Sequence, residues 1–128
     1  MSKIIAFAWT TPALVAGRKT CTRRSWTPAY AAMFYEGEIV QAWDHSPRTR
    51  KGRQVAWIRL AATPSYEPLS TMPDSDYEAE GFAFLAEEPG MSGAMLSHPG
   101  NGPIGNASWA SFEAWRDSKS SMWVVRFK

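Results

Sequence analysis

With 128 residues, 45% of them hydrophobic and 20% charged, the chain has the size and composition of one folded domain. A formal net charge of +2 is too small for a general nucleic-acid coat, so an anionic partner has to be met by a local cluster. One cysteine (Cys21) excludes an internal disulfide framework, two histidines (His45 and His98) are too few for a Cys/His zinc site, and no apolar run approaches the roughly 20 residues of a membrane helix.

Residues 3–9, Lys-Ile-Ile-Ala-Phe-Ala-Trp, read as a buried first strand. This apolar start is too short for a secretory signal, and a reducing, cytoplasmic compartment is expected. Thr10-Thr11-Pro12 is a helix start with proline in the first turn, and Gly17 is a natural cap after Ala13–Ala16. The basic stretch 18–24 therefore follows a helix, as a loop or short strand. Thr27-Pro28 repeats the start signal for a second short helix reaching Tyr35, closed by Gly37. Residues 38–44 and 54–62 alternate as strands around a polar loop, 45–53, which holds Arg48, Arg50, Lys51 and Arg53, so the unit reads as a hairpin.

Residues 63–73 hold three prolines and read as irregular. A helix is expected from Asp74 or Ser75 through Leu85, with Gly81 inside it. Residues 90–106 read as a long Gly-rich loop, 108–118 as a helix with Trp109, Phe112 and Trp115 on one face, and 122–127 as a closing strand. Short strands and helices are mixed without regular alternation. The expected class is α+β: one domain, a small mixed barrel or curled sheet with peripheral helices.

Four cations, Arg18, Lys19, Arg23 and Arg24, fall within seven positions around Thr20, Cys21 and Thr22. Such a group stays together only if an anion or nearby carboxylates compensate it. On an extended backbone Lys19, Cys21 and Arg23 share one face, and Arg18, Thr20, Thr22 and Arg24 the other. Asp74, Asp76 and Glu78 are explained as carboxylates in a helix's first turn. Glu80 lies deeper, immediately before Gly81, and is placed to pair with the basic cluster, a lysine–glutamate arrangement that can move protons. Arg48 and Arg50 at the hairpin tip can add phosphate contacts. Trp9 and Trp26 are either core or stacking surfaces for a base, with core preferred. There is no Walker-type loop and no dinucleotide fingerprint, and Gly100–Gly105 lacks the strand-to-helix context of one.

The segment from Thr10 to Arg24, with Gly17-Arg18-Lys19-Thr20-Cys21-Thr22-Arg23-Arg24 at its end, resembles the signature of the ASCH domain family. Asp76-Tyr77-Glu78-Ala79-Glu80-Gly81-Phe82 resembles that family's acidic helix. Ser111–Arg116 and Trp123–Phe127 resemble its late helix and closing strand, so the likeness runs along nearly the whole chain. The resemblance implies a PUA-like β-barrel and a cleft walled by the signature and the acidic helix.

The leading expectation from it is an RNA- or nucleotide-binding domain, with Arg18, Thr20, Arg23, Arg24, Trp26, Arg48 and Arg50 as contacts. The alternative is an amidohydrolase of acetylated cytidine, as in small bacterial relatives. Carried over by motif position, Lys19 is then the base, Thr22 the nucleophile and Glu80 the proton-handling carboxylate. A metal-independent ribonuclease is a further alternative. No metal or cofactor is expected, and the physiological ligand and oligomeric state are left open.

Overall fold

The computed structural model describes residues 2–87 and 107–128. The Gly-rich loop expected at 90–106, and His98 within it, lie outside these. The first strand, β1 (Ile4–Ala6), is shorter than the apolar run that announces it, because the chain turns into a 3-10 turn at Ala8–Thr10. Helix α1 (Thr11–Val15) follows, with Pro12 in its first turn, where a missing N–H costs nothing. Gly17 (φ +79°) takes the left-handed conformation that closes the helix.

Strand β2 (Cys21–Arg24) carries the end of the basic segment. Helix α2 (Pro28–Ala31) is capped by Thr27, whose hydroxyl accepts the Tyr30 N–H, and ends short of the Tyr35 that the sequence suggests. Strands β3 (Ile39–Trp43) and β4 (Gln54–Arg59) form the expected antiparallel hairpin.

Two departures concern the middle of the chain. The proline-rich stretch is not all irregular: Ser65–Pro68 is a strand, β5, paired antiparallel with the closing strand β6 (Ser121–Arg126), and a 3-10 turn follows at Leu69–Thr71. Strand β5 lies at a sheet edge, where Pro68 is tolerated. The expected single acidic helix is two, α3 (Asp76–Ala79) and α4 (Phe82–Glu87). Gly81 between them has φ +94°, which no helix accommodates. Helix α5 (Trp109–Arg116) is capped by Ser108, whose hydroxyl accepts the Ser111 N–H.

The class is α+β. The strands form two three-stranded sheets, in orders β1-β3-β4 and β2-β6-β5. A bridge between Leu60 and Phe127 links them, and the described strands do not close into one barrel. One buried cluster, including Phe34, Val40, Ile58, Leu60 and Val125, sits under the first sheet. A second joins Leu69, Phe82, Leu85, Phe112 and Trp115 among the helices. The segment from Gly17 to Arg24 runs between these two cores. No helix among the described residues is long and apolar enough to cross a membrane.

Candidate functional site

The site is assembled where α3 ends. A helix leaves its last carbonyls without partners, and here residues of the basic segment take two of them. The Thr20 N–H donates to the Ala79 carbonyl (2.7 Å), and Lys19 Nζ donates to the Glu80 carbonyl (2.7 Å). Gly81 makes this possible twice over. Its left-handed backbone stops the helix, and its lack of a side chain lets α1 approach, since a Cβ there would lie 2.6 Å from Ala13 Cβ and 3.3 Å from Lys19 Cβ.

Lys19 and Glu80 are both buried, with side chains 1% and 3% exposed, and Lys19 Nζ lies 3.3 Å from Glu80 Oε1. Burial lowers the proton affinity of Lys19, and the neighbouring Glu80 carboxylate only partly opposes it. Both hydrogen bonds that Nζ makes to described residues go to Glu80. A neutral amine has two N–H donors and one lone pair, so this environment suits an amine that can accept a proton.

Strand alternation sorts the remaining residues. Cys21 and Arg23 face α3. Arg23 donates to Glu80 Oε2 (2.6 Å) and to Asp76 Oδ2 (2.6 Å), with its own side chain 2% exposed. Burial opposes the Arg23 charge, but the two carboxylates outweigh it and hold the guanidinium firmly protonated. Asp76 also accepts two bonds from Arg126 on β6, both at 2.9 Å. Burial would raise its pKa, and the arginines more than reverse this and lower it. Cys21 Sγ lies 3.7 Å from Glu80 Oε2, and burial pushes its thiol up to about 12, which makes it a poor nucleophile.

Thr22 and Arg24 face the other way, toward β1. Arg24 Nε donates to Thr22 Oγ1 (3.1 Å) and its Nη2 to the Ala6 carbonyl (2.7 Å), while Nη1 has no partner among the described residues. Burial brings the Arg24 pKa down to about 10. The two faces meet at Phe7: Lys19 Nζ is 5.8 Å and Arg24 Cζ 5.3 Å from its ring centroid. The next residue, Ala8, has φ +49°, a sparsely populated conformation for a residue with a Cβ.

Lys19 and Glu80 are thus in direct contact. Thr22 is bonded to Arg24 rather than to either of them, although the same Phe7 ring borders both pairs. Arg18 leaves the expected face altogether. It makes a two-pronged pair with Glu78 at 2.8 and 2.6 Å, which lowers the Glu78 pKa. Thr20 is exposed beside Lys19. Trp26 is half-buried and stacked on Phe34 (4.6 Å between centroids), with Tyr30 packed edge-on. Trp9 stacks on Phe82 (5.5 Å). Arg48 and Arg50 are exposed at the hairpin tip.

Sequence reasoning missed three members. Asp76, explained there by the helix dipole, is a buried hub for two arginines. Arg126 is its partner from 50 residues away, and nothing local in the closing strand announces that. Phe7, taken only as part of an apolar strand, borders both halves. Among the described residues no group of three His, Cys, Asp or Glu side chains is placed to hold a metal ion.

The fold and site define an α+β domain with a buried lysine–arginine–carboxylate cluster at a helix end. No family model matches the chain, and no curated protein or solved structure is significantly similar to it. The ASCH resemblance accordingly rests on the motif residues themselves.

Proposed function

We propose that this chain is an ASCH-type, PUA-like domain acting on a nucleotide, and that it removes the acyl group from N-acylated cytidine. The observation that carries this reading is the Lys19–Glu80 contact: a buried amine of lowered proton affinity whose hydrogen bonds to described residues both end on one glutamate. Perturbed lysines of this kind are typical of proton-transfer sites. Pure anion binding by the signature is less well supported, because Arg18 and Arg23 are already engaged by Glu78, Glu80 and Asp76.

In the proposed reaction Thr22 Oγ1 attacks the acyl carbon, and its proton passes to Lys19 through a bridging water, since Thr22 Oγ1 is bonded to Arg24 and Lys19 Nζ to Glu80. The guanidinium bond to Thr22 favours the developing negative oxygen. Arg24 Nη1, without a protein partner among the described residues, is the group available for the oxyanion. The C–N bond then breaks, and the Lys19 ammonium returns the proton to the cytidine amine. Water, activated in turn by Lys19, hydrolyses the acyl-threonine to release the carboxylic acid and restore Thr22. Glu80 holds Lys19 in place throughout.

Incubation with N-acetylcytidine, following cytidine release, tests this. Lys19→Ala and Thr22→Ala are each expected to lower kcat/KM by about 100-fold or more, the ordinary contribution of a positioned proton carrier or nucleophile. An inert parent protein, or one whose turnover survives both substitutions, rules the reaction out.

A further inference from the structure

Strand β4 is an edge of the first sheet, and its outer side is only partly covered. Arg59 and Lys128 exchange both backbone bonds (3.3 and 3.0 Å), and the Ala61 N–H donates to the Arg126 carbonyl (2.8 Å). Residues 126–128 thus lie antiparallel along 59–61. Backbone groups alternate sides along a strand, so Trp57 turns its N–H and C=O the same way as Arg59, away from β3. No described group meets them, and Trp57 itself is 57% exposed. A cavity of about 330 Å³ lies against this open stretch. It is lined by Ala56, Trp57 and Ile58 of β4, by Phe127, and by Gly17 and Thr20 of the signature segment.

The exposed cations that no described carboxylate meets are concentrated around the same edge. Apart from Lys119, they all lie on the β3–β4 hairpin or at Lys128. Arg53 and Arg59 bracket the open stretch. Among the described residues their guanidiniums bond only backbone carbonyls: those of Arg50 and Gly52 for Arg53, and that of Gly37 for Arg59. Asp44, across the ladder from Arg53, is turned inward, where Oδ1 accepts the backbone N–H of both His45 and Arg53, each at 2.7 Å.

These features select among occupants. An outward N–H beside an outward C=O asks for a partner that offers both an acceptor and a donor. A peptide backbone supplies both, whereas a phosphate backbone supplies acceptors alone. A second copy is opposed by its own charges. Pairing two β4 edges antiparallel, with Trp57 of one opposite Val55 of the other, sets Arg53 opposite Arg59 at both ends, and like charges across a ladder repel. The same arginines attract carboxylates, so they turn away basic or identical strands and favour acidic ones. Buried Ile58 and Phe127 make the adjoining cavity suited to an apolar side chain.

We propose that the open edge of β4 docks an acidic, extended segment of another protein. The segment adds antiparallel to β4 beside Trp57, in line with residues 126–128. It sets carboxylates against Arg53 and Arg59 and seats an apolar side chain in the cavity. This surface is separate from the deacylation chemistry, and neither reading needs the other.

The test is fluorescence anisotropy of the whole chain with a labelled eight-residue peptide of alternating glutamate and valine. Two further forms of the peptide are N-methylated, one at every glutamate and one at every valine. The plain peptide is expected to bind, and the same peptide with lysine for glutamate is not. Because N–H groups alternate sides along a strand, one methylated form is expected to lose binding and the other to keep it. Arg53→Glu/Arg59→Glu is expected to weaken the acidic peptide about tenfold or more, since both attractions become repulsions. Trp57→Pro removes the outward N–H at an edge position that tolerates proline and is expected to weaken it as well. Should that variant misfold, the methylated peptides read the same backbone bonds on the parent protein. No binding of the acidic peptide, or equal binding of all three of its forms, overturns the proposal. So does an oligocytidylate that binds more tightly than the peptide and is weakened by Arg53→Glu/Arg59→Glu, which would assign the edge cations to nucleic acid.

Discussion

A single glycine determines whether the candidate site exists. At Gly81 two requirements coincide, a left-handed backbone and a void where α1 and the Lys19 stem pass. Any Cβ costs about 1–2 kcal/mol for the conformation alone. The 2.6 Å approach to Ala13 adds to that, because the opposing atom is the stub of a buried residue and cannot swing away. Gly81→Ala is therefore expected to destabilise the fold by about 2 kcal/mol or more, measured by urea unfolding. The folded fraction is expected to lose the lowered proton affinity of Lys19, since α1 must retreat from α3. A variant as stable as its parent would show that the close approach has been misjudged. The sequence signals this glycine as odd, a helix breaker inside an apparently helical pattern, yet periodicity alone cannot distinguish a tolerated glycine from a break. What separates the two is tertiary: the partner that occupies the missing side chain's place.

Among the elements, α3 is held to the second sheet by charge as well as by contact. Asp76 on α3 accepts from Arg23 on β2 and from Arg126 on β6. Because the folded pKa of Asp76 is depressed, its contribution is fully present above the unfolded value, about 3.9, and is lost as the pH falls below that toward the folded pKa. Asp76→Asn is expected to cost about 3 kcal/mol at pH 7, since it leaves Arg23 with one uncompensated buried bond. Its stability should then fall less steeply than the parent's below about pH 4. Parallel acid slopes for the two proteins, from urea titrations at several pH values, would remove Asp76 from this role.

The elements also differ in how far local sequence reveals them. Helix α1 and the β3–β4 hairpin were legible because proline, glycine and alternation act over a few residues. Strand β5 was not: Ser-Tyr-Glu-Pro is mostly exposed, has no apolar alternation, and is extended because β6 lies beside it. Lys19 and Glu80 could be paired in advance through motif resemblance. The Asp76–Arg126 pair could not, since it depends on the register that sets Arg126 opposite Cys21.

For the whole molecule, two apolar clusters raise the question of whether one part can melt without the other. The connections argue against it. Neighbouring residues of α1 enter different clusters, Leu14 the first and Ala13 the second. Strand β6 does the same, with Val125 in the first and Met122 packed against the second. Between the clusters lies the ion network, whose buried charges become costly as soon as either side moves away. Loss of the helical cluster would strip Glu80 and Asp76 from Arg23 and leave a charge at the edge of the remaining core. The chain should therefore unfold as one unit. Phe112→Ala, which empties a fully buried site among the helices, is expected to cost about 3–5 kcal/mol. The midpoints followed by far-ultraviolet circular dichroism and by tryptophan fluorescence should shift together. Coincident curves in the variant are the signature of a single cooperative transition. A helical signal that melts first, leaving the β3–β4 sheet folded, would show that the ion network does not couple the two cores, and a site built at their junction would then open by local unfolding rather than stay preformed.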